Sequence, residues 1–584
     1  MKKNTVLAVV LSTLVIFASM FIQHKFFPPE IVEEKEVQKT ESSDSKDSPV
    51  VDVASIESSS NEDFVFEKAD DIKESEYTVE TPLMRAIFTN KGGDILSYRL
   101  KEYKETSGEN GVEMIKNIKP NNRAFSLAIN KMTSKAFDGF FEVKQRDTKN
   151  GKAIAFICNV RNANSEAEEA DFRIIKEYEF LNNDYMFSLT VTIEALQSAE
   201  KQSIENVFYS LRTAPQIGPD WVKGDRYEYR KFSTFTNGSM KNVKMKEGEQ
   251  KAQNDLSQWV AVSGKYFALV VLPEKPIQNA VYSQKTTPDV PLYDSQIFIG
   301  TSPMQGNKRV DVYRVYIGPN SDKFLSKYNV SANNALGIHD AQINMIAATG
   351  GILWPLEMVL KFLLENLNKL VGNWGVSILI ITLIMRLLFF PLTKRSSKAT
   401  RKMQEMQPRI KELQEKYKSN PQRMNTEMTR LYQEAGYNPL SGCLPMLIQI
   451  PFLFAMFALF NNYFEFRGAS FIPGWIPDLS SGDSVWRFGF TIPVLGWTDL
   501  RILPIIYVAS QLVFGKVTQA GPQDNSNPSM KIMVYFMPLF FFFIFYNAPS
   551  GLLLFWTASN ILMLIQQIII NKTLDKEEAK KKKK

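Results

Sequence analysis

Hydrophobic residues are distributed unevenly along the chain. Up to about Gly350 apolar residues alternate with polar ones over short runs, whereas long apolar runs recur beyond that point. A period of two is typical of half-buried strands, and an apolar run of about 20 residues is long enough to cross a bilayer. The pattern therefore predicts a β-rich soluble domain followed by a membrane domain.

The region of residues 79–344 predicts many short strands. Its clearest segment is 172–195, where two alternating runs flank Asn182-Asn183-Asp184 and predict a hairpin. Further strands are predicted at 152–160, 259–272 and 310–317, and Gly92-Gly93 predicts an early turn. Many strands with few helical periods predict an antiparallel β-sandwich.

The N-terminal segment predicts a membrane anchor. An apolar run, residues 6–22, follows Lys2 and Lys3, and the flank Gln23-His24-Lys25 has no small-residue cleavage site. A cleaved signal peptide is the alternative. The positive-inside rule keeps the two lysines in the cytosol, so the β-rich domain lies outside it. Residues 30–76 are rich in Ser, Glu and Asp and predict a flexible acidic tether.

Beyond the β region the period changes to that of helices. Glu357, Lys361, Glu365 and Lys369 recur every four residues on an otherwise apolar segment, 352–370. This stripe predicts an amphipathic helix along the membrane surface, with a helix buried against the β domain as the alternative. Five hydrophobic segments follow, at 374–392, 444–464, 500–515, 532–547 and 552–570.

The charge distribution predicts that both chain ends are cytosolic. Residues 394–439 hold eleven Lys or Arg against five Glu, the tail ends in five lysines, and the loop 465–499 holds only two arginines. The basic segment has a seam with spacings of three and four, which a break at 419–421 divides, so it predicts a cytosolic helical hairpin. The seam of its first arm consists of Met403, Met406, Ile410, Leu413 and Tyr417.

The predicted fold is therefore a multidomain, six-span α-helical membrane protein with a periplasmic antiparallel β-sandwich domain and a cytosolic helical hairpin. We place the N-terminal anchor at 1–23, the acidic linker at 24–78, the β domain at 79–348 and the interfacial helix at 349–372. The remaining parts are spans at 373–393, 440–465, 500–516, 531–547 and 551–571, the hairpin at 394–439, the periplasmic loop at 466–499, a cytosolic loop at 517–530 and the basic tail at 572–584.

Arg386 is the most informative single residue. It lies in a nearly apolar span, where a charge costs roughly 2.5–3.5 kcal/mol on insertion scales. We interpret it as facing a wet cavity in the cytosolic half of the bilayer, with snorkelling to the interface as the alternative. Thr382 lies one turn earlier on the same face. Polar groups in other spans that favour such a groove are Gln449, Gln511, Thr557, Ser559, Asn560 and Gln566.

Several kinds of chemistry have no signal in this sequence. The two histidines and two cysteines are far apart and predict no metal site. No nucleotide-binding or serine-nucleophile motif is recognisable, so we expect no enzyme activity and no cofactor. A solute transporter is disfavoured because no Asp or Glu lies well inside a span. A carbohydrate-binding or carbohydrate-active β domain stays open as a third reading, without a paired-carboxylate motif.

The C-terminal half resembles the YidC family of membrane protein insertases. The resemblance is carried by the runs at 372–375 (GNWG), 386–393 (RLLFFPLT), 438–451 (NPLSGCLPMLIQIP) and 549–552 (PSGL). The N-terminal half is more loosely similar to Gram-negative members, through 90–94 (NKGGD) and 316–319 (YIGP).

This resemblance implies a hydrophilic groove in which the arginine matching Arg386 attracts the polar part of a substrate. Positions that match the substrate path are Thr382, Leu453, Ile544 and Trp556, beside Phe555; the family often has tyrosine where Phe555 and Trp556 stand. The implied partners are nascent membrane proteins, the lipid bilayer, the Sec translocon, and ribosomes or the signal-recognition apparatus at the hairpin and tail, with no small-molecule substrate. The implied location is the bacterial inner membrane.

Overall fold

The computed structural model describes residues 64–66, 73–105, 110–133, 136–162, 172–196, 207–220, 228–246, 248–286, 293–347, 353–436, 440–490, 492, 495–518 and 535–582. The predicted anchor at 1–23 lies outside the described residues, as does most of the acidic linker. The chain divides into two compact units, one formed by Asp44–Ala348 and one that contains Thr349–Lys584.

The first unit is built from strands that pair only with antiparallel neighbours in the described part of the chain, as predicted. The strands are β1 (Phe64–Phe66), β2 (Glu76–Glu80), β3 (Met84–Thr89), β4 (Asp94–Lys104), β5 (Asn110–Glu113), β6 (Ile115–Lys116), β7 (Leu127–Ile129), β8 (Glu142–Thr148), β9 (Gly151–Asn162), β10 (Phe172–Leu181), β11 (Met186–Ala195), β12 (Tyr209–Arg212), β13 (Gln216–Ile217), β14 (Lys231–Thr236), β15 (Ser239–Val243), β16 (Gln250–Gln253), β17 (Ser257–Ser263), β18 (Phe267–Pro273), β19 (Asn279–Thr286), β20 (Tyr293–Gly300) and β21 (Lys308–Pro319).

One long sheet organises this unit. Its order is β1-β9-β10-β11-β21-β18-β17-β14-β15, with β8 paired to β9. A four-stranded sheet (β2-β3-β4-β5) and a five-stranded sheet (β16-β19-β20-β12-β7) pack on one face of it. Phe88 of the four-stranded sheet lies 4.9 Å from the ring of Tyr178, and the Tyr209 hydroxyl of the five-stranded sheet donates to Asp311 at 2.8 Å. The layers therefore form a sandwich with an aromatic core.

The central hairpin of the long sheet follows from its sequence pattern. Every second residue of β10 is buried, and β10 pairs with β11 in a register that places Phe180 opposite Phe187. The turn between them contains Asn182-Asn183-Asp184, whose short polar side chains favour tight turns. The Oδ1 atom of Asp184 accepts from the Met186 amide at 3.0 Å and fixes the start of β11.

The predicted single strand at 259–272 is wrong, because this segment forms two strands. β17 ends at Ser263 and β18 begins at Phe267, and the two pair as a hairpin. The Gly264 amide donates to the Phe267 carbonyl at 2.8 Å and closes the turn. An apolar run on both sides concealed this turn, because both strands are buried and alternation is absent.

The second unit is mainly helical. Its helices, preceded in the chain by the short α1 (Asp322–Leu325) of the first unit, are α2 (Trp354–Val371), α3 (Trp374–Lys416), α4 (Pro421–Glu434), α5 (Leu440–Asn462), α6 (Leu503–Thr518), α7 (Met537–Phe545) and α8 (Ser550–Lys582). A loop between α5 and α6 carries two short strands, β22 (Trp486–Arg487) and β23 (Asp499–Leu500).

The conspicuous sequence at 372–375 forms the junction between α2 and α3. Gly372 ends α2 with a φ of 71°, a left-handed conformation that glycine adopts without strain. Asn373 caps α3, because its side chain accepts from the Val376 amide at 3.1 Å. At Gly375 a Cβ atom would lie 2.2 Å from the Phe471 ring, so only glycine allows this approach.

The helix α3 is longer than the predicted span. We expected a span at 373–393 followed by a separate hairpin arm, but one helix of 43 residues includes both. Pro391 and Pro408 lie inside it; each removes one backbone hydrogen bond, which a long helix tolerates. The predicted break at 419–421 is present, because α3 ends at Lys416 and α4 begins at Pro421, capped by Asn420.

Apolar length identifies two spanning candidates among the described residues. Trp374–Met403 and Ser550–Glu577 are long and apolar enough to cross a membrane, and Leu503–Val517 is a shorter apolar helix. The count of six spans therefore stays a prediction. The position of α2 on a membrane surface also stays a prediction, although its exposed apolar side chains, including Phe362 and Leu370, agree with it.

Candidate functional site

The side chain of Arg386 is almost completely buried in the helical unit, with 7% of its surface exposed. Its Nη1 atom lies 3.5 Å from Gln449 Oε1 on α5 and 3.7 Å from Met563 Sδ on α8. Both distances are at the long end for hydrogen bonds, and a thioether is a weak acceptor. Among the residues that the structure describes, no carboxylate lies within 4.0 Å of this guanidinium.

The backbone beside this guanidinium is held firmly. Gln566 Nε2 donates to the Arg386 carbonyl at 2.8 Å, which joins α8 to α3. Thr382 is fully buried, and its hydroxyl donates to the Ile378 carbonyl at 2.5 Å within the same helix. The position of Arg386 is therefore fixed by its neighbours, while its five donors keep capacity for a further acceptor.

A second polar cluster joins α8 to α6. Gln511 Nε2 donates to Asn560 Oδ1 at 3.4 Å and to the Tyr507 hydroxyl at 3.3 Å. Asn560 Nδ2 in turn donates to Ser510 Oγ at 3.2 Å. The structure thus places Gln511 with Asn560 and places Arg386 with Gln449, so the predicted polar residues form two clusters along α8.

Three buried polar atoms of α8 have no hydrogen-bond partner in the described structure: Trp556 Nε1, Thr557 Oγ1 and Gln566 Oε1. Buried polar groups are normally paired with protein or ordered water. Their presence along one helix indicates that water or another polar group forms the missing hydrogen bonds. The hydrophilic groove itself stays a prediction.

The residues of the predicted apolar path lie on three helices, and some of them contact other apolar side chains. The Trp556 ring lies 4.7 Å from Phe545 on α7 and 5.8 Å from Tyr507 on α6, and Ile544 is half-buried beside Phe545. Phe555 turns to the other side of α8 and packs at 6.0 Å from Phe460. Leu453 is half-buried on α5, one turn after Gln449. The structure thus places Trp556 against Phe545, the chain neighbour of Ile544, whereas Phe555 belongs to the α5–α8 packing.

Part of the predicted hairpin seam is buried in the structure. Met406 and Ile410 are buried and pack with Met403, with Met428 and Leu431 of α4, and with Ala435 just after α4. Leu413 and Tyr417 lie nearer the turn and are half-buried. The helical hairpin is thus a feature of the structure, and its cytosolic position stays a prediction.

Sequence reasoning missed Met563 as a neighbour of Arg386. A methionine in an apolar helix carries no signal that distinguishes it from packing residues. Its spacing of three residues from Gln566 places the two on one face of α8, which was the available clue.

The comparisons with known proteins agree with both units. Residues 366–578 match the family described as the 60Kd inner membrane protein, and residues 76–338 match the YidC periplasmic domain. The membrane protein insertase YidC of Treponema denticola is 53% identical over 546 residues, covering 92% of this chain and 94% of the relative. That of Treponema pallidum is 40% identical over 586 residues, covering 92% and 94%.

A solved structure described as an active YidC insertase with the first transmembrane domain resolved is 18% identical. It covers 85% of this chain and 92% of its own, with a TM-score of 0.35.

A helical membrane unit combined with a β-rich periplasmic domain defines an inner-membrane protein of bacteria. The chain belongs to the YidC family of membrane protein insertases. The resemblance seen in the sequence motifs is therefore confirmed. Insertases of this family are not enzymes, which removes the carbohydrate-active reading of the β domain.

Proposed function

We propose that this protein inserts nascent integral membrane proteins into the inner membrane and helps them fold, alone or with the Sec translocon, through a hydrophilic groove around Arg386. The main support for this groove is the environment of the Arg386 guanidinium. The guanidinium is buried, its Nη1 atom lies 3.5 Å from Gln449 Oε1, and it has no carboxylate within 4.0 Å among the described residues. Gln566 holds the backbone carbonyl of the same residue.

The proposed mechanism lowers the cost of moving a polar segment into the bilayer. A polar or charged loop is costly in hydrocarbon, because its hydrogen bonds to water are lost. A polar pocket in the cytosolic leaflet shortens that apolar path. A fixed positive charge in a medium of low dielectric constant attracts acidic residues of the substrate strongly, and this attraction weakens once the loop has moved away.

The substrate's apolar segment follows a path past Leu453, Ile544 and Trp556. This path is supported by the packing of Trp556 against Phe545 and by the exposed apolar side chains of α7, such as Leu539 and Phe543. Flexible and aromatic side chains adapt to variable sequences, which suits a protein that handles many substrates.

The proposed topology has six spans, with both termini cytosolic and the β unit in the periplasm. It is supported by the basic composition of 394–439 and of the tail, since cytosolic segments are enriched in Lys and Arg. Ribosomes or the signal-recognition apparatus bind the hairpin and tail, where the clustered positive charge suits RNA and anionic lipid.

The charge of Arg386 is tested by substitution. Arg386→Ala should strongly reduce the insertion of a substrate with a short acidic outer tail. Insertion is measured in cells that are depleted of their own insertase and express the variant. Arg386→Lys should retain most of it, because the positive charge remains. The matched control is the same substrate with a neutral tail, which should depend less on Arg386. Equal insertion of the acidic substrate by the Ala variant would contradict the role of this charge.

The substrate path is tested by photo-crosslinking in membranes. A probe at position 453 or 556 should crosslink to a ribosome-stalled nascent membrane protein and not to a stalled soluble protein. A probe at the exposed position 561 on α8 is the control within the same helix. If neither 453 nor 556 crosslinks more than 561 with a correctly targeted chain, the substrate does not follow this path.

A further inference from the structure

The loop between α5 and α6 forms a small β-hairpin, which we call the aromatic finger (residues 485–500). Its two strands, β22 and β23, pair Trp486 with Leu500. Further backbone bonds extend the ladder, from the Val485 amide to the Leu500 carbonyl at 3.0 Å and from the Phe488 amide to the Thr498 carbonyl at 2.7 Å. The structure describes the finger except for residues 491, 493 and 494.

Among the described residues, the finger presents a row of aromatic rings whose two outer members are largely exposed. Trp486 is 65% exposed and Phe490 is 67% exposed. Phe488 lies between them, 5.6 Å from Trp486 and 5.9 Å from Phe490. Single exposed apolar residues are normal, whereas a contiguous exposed aromatic patch marks an interaction surface.

The base of the finger is rigid. Asp499 accepts hydrogen bonds from Ser484 at 2.9 Å, Thr498 at 2.7 Å and Arg487 at 3.3 Å. Burial raises the pKa of Asp499, but these hydrogen bonds outweigh it and hold the pKa below its usual value. Asp483 accepts from the Leu503 amide at 2.9 Å and so ties the chain before the finger to the first turn of α6.

The finger is continuous with the exposed apolar surface of α7. The Trp497 ring stacks on Tyr546 with centroids 3.6 Å apart and lies 5.9 Å from Phe543, which is itself half exposed. The Tyr546 hydroxyl donates to the Asp499 carbonyl at 2.7 Å and fixes this contact. The finger therefore packs through Trp497 directly on the apolar end of α7.

The position and charge of the finger identify its partner. The start of α6, the end of α7 and the start of α8 all meet at its base, where the Ser550 amide donates to the Ser481 carbonyl at 2.7 Å. Ends of spanning helices lie at the membrane–water interface, where Trp and other aromatic residues are enriched. Within 485–498 the charged residue is Arg487, which pairs with Asp499, so the exposed rings carry no net charge to attract a charged partner.

We propose that the aromatic finger is a lipid contact: Trp486 and Phe490 insert into the interfacial region of the bilayer leaflet at this end of the helices. With the topology proposed above this is the outer leaflet. The finger then holds the ends of α6, α7 and α8 at a fixed depth, because its rigid base joins all three.

The depth of residue 490 in a bilayer tests this proposal. The full chain is prepared with Cys158→Ala and Cys443→Ala, since the sequence has two cysteines, and with Phe490→Cys carrying an environment-sensitive fluorophore. It is placed in nanodiscs whose lipids carry a nitroxide either near the top of the acyl chain or near its methyl end. The control is the same label at Lys241→Cys, an exposed position of the β unit.

The expected result is a several-fold larger loss of fluorescence at 490 than at 241, and stronger quenching by the shallow nitroxide than by the deep one. Quenching at 490 no greater than at 241 would overturn the proposal, and so would a signal that changes only when a nascent chain or a second copy is added. If the cysteine-free chain does not fold, a benzophenone side chain at 490 in the natural sequence should form lipid adducts on illumination; adducts with protein alone would overturn it. Neither readout depends on insertion activity, so failure here leaves the role of Arg386 intact.

Discussion

Lys176 in the first unit and Arg386 in the second are both buried cations, but their surroundings differ. Lys176 of β10 is completely buried, and its Nζ atom donates to Asp94 Oδ1 at 2.6 Å and to the carbonyls of Gly92 and Phe125 at 2.9 Å each. Asp94 is also held by Arg123 at 2.9 Å. Arg386 has only the weak acceptors described above. The first charge is therefore a structural part of the sandwich, and the second is the one that we propose acts on a substrate.

The structural role of Lys176 gives a stability prediction. In Lys176→Met the carboxylate of Asp94 loses one of its two cations while staying buried. Breaking a buried pair in this way costs about 3–5 kcal/mol of unfolding free energy. Urea denaturation of the separate unit 44–348, followed by circular dichroism, measures this loss. Lys241→Met, at an exposed position, is the control, and an equal effect of both changes would contradict the structural role.

The sequence alone identified Arg386 as unusual, but it did not predict the structural role of Lys176. Arg386 was recognisable because a charge inside an apolar span is costly wherever the helix packs. Lys176 lies on the buried face of an alternating strand, but its partner is 82 residues away in the chain, and no local pattern predicts such a contact. The same limit applies to Met563, whose importance arises only from the packing of α8 on α3.

At the scale of elements, patterns with strong local turns were predicted well. The strands β10 and β11 have the expected turn, and Gly92-Gly93 lies between β3 and β4 with both φ values positive. The finger was missed, because its strands have two residues each and residues 485–500 combine aromatic residues with Gly and Pro without alternation. The continuous helix α3 was also missed, because its composition changes from apolar to basic along its length while its backbone does not.

The helical hairpin gives a prediction for its packing. Met406→Ala removes a buried side chain from a small cluster, which costs roughly 2 kcal/mol or more where the site cannot collapse. The hairpin should open more often, so that trypsin cleaves faster near Lys418 and Arg423 in the membrane-embedded protein. Gln414→Ala, an exposed position of the same helix, should leave the cleavage rate unchanged. Equal rates in all three proteins would show that the seam does not hold the hairpin closed.

At the scale of the whole molecule, the division into two units has a functional consequence. The named contacts of Arg386 and of the second polar cluster all come from residues after 373. The sandwich has its own core and its own buried charges. The proposed insertion site and the core of the β domain are therefore built from separate sets of residues.

This separation predicts the outcome of a deletion. Removal of residues 79–344 should leave insertion of a simple single-span substrate largely intact in depleted cells, because the proposed groove keeps all its described contacts. The same deletion combined with Arg386→Ala should abolish the insertion of a substrate with an acidic tail. Complete loss of insertion in the deletion alone, with the shortened protein present in the membrane at normal amounts, would show that the β unit takes part in the reaction.

The unbroken lengths of α3 and α8 have a mechanical consequence for the membrane around them. With a rise of 1.5 Å per residue, helices of 43 and 33 residues are about 65 and 50 Å long, whereas the hydrocarbon core is about 30 Å thick. Neither helix has to end where the lipid ends, so the boundary can move by a full turn along α8, which has no proline, without exposing an unpaired peptide group. In α3 the same movement passes the carbonyl that Pro391 leaves without its helical hydrogen bond. Bilayers of different thickness can therefore be accommodated by the same backbone, with long side chains such as Lys394 reaching to the new interface.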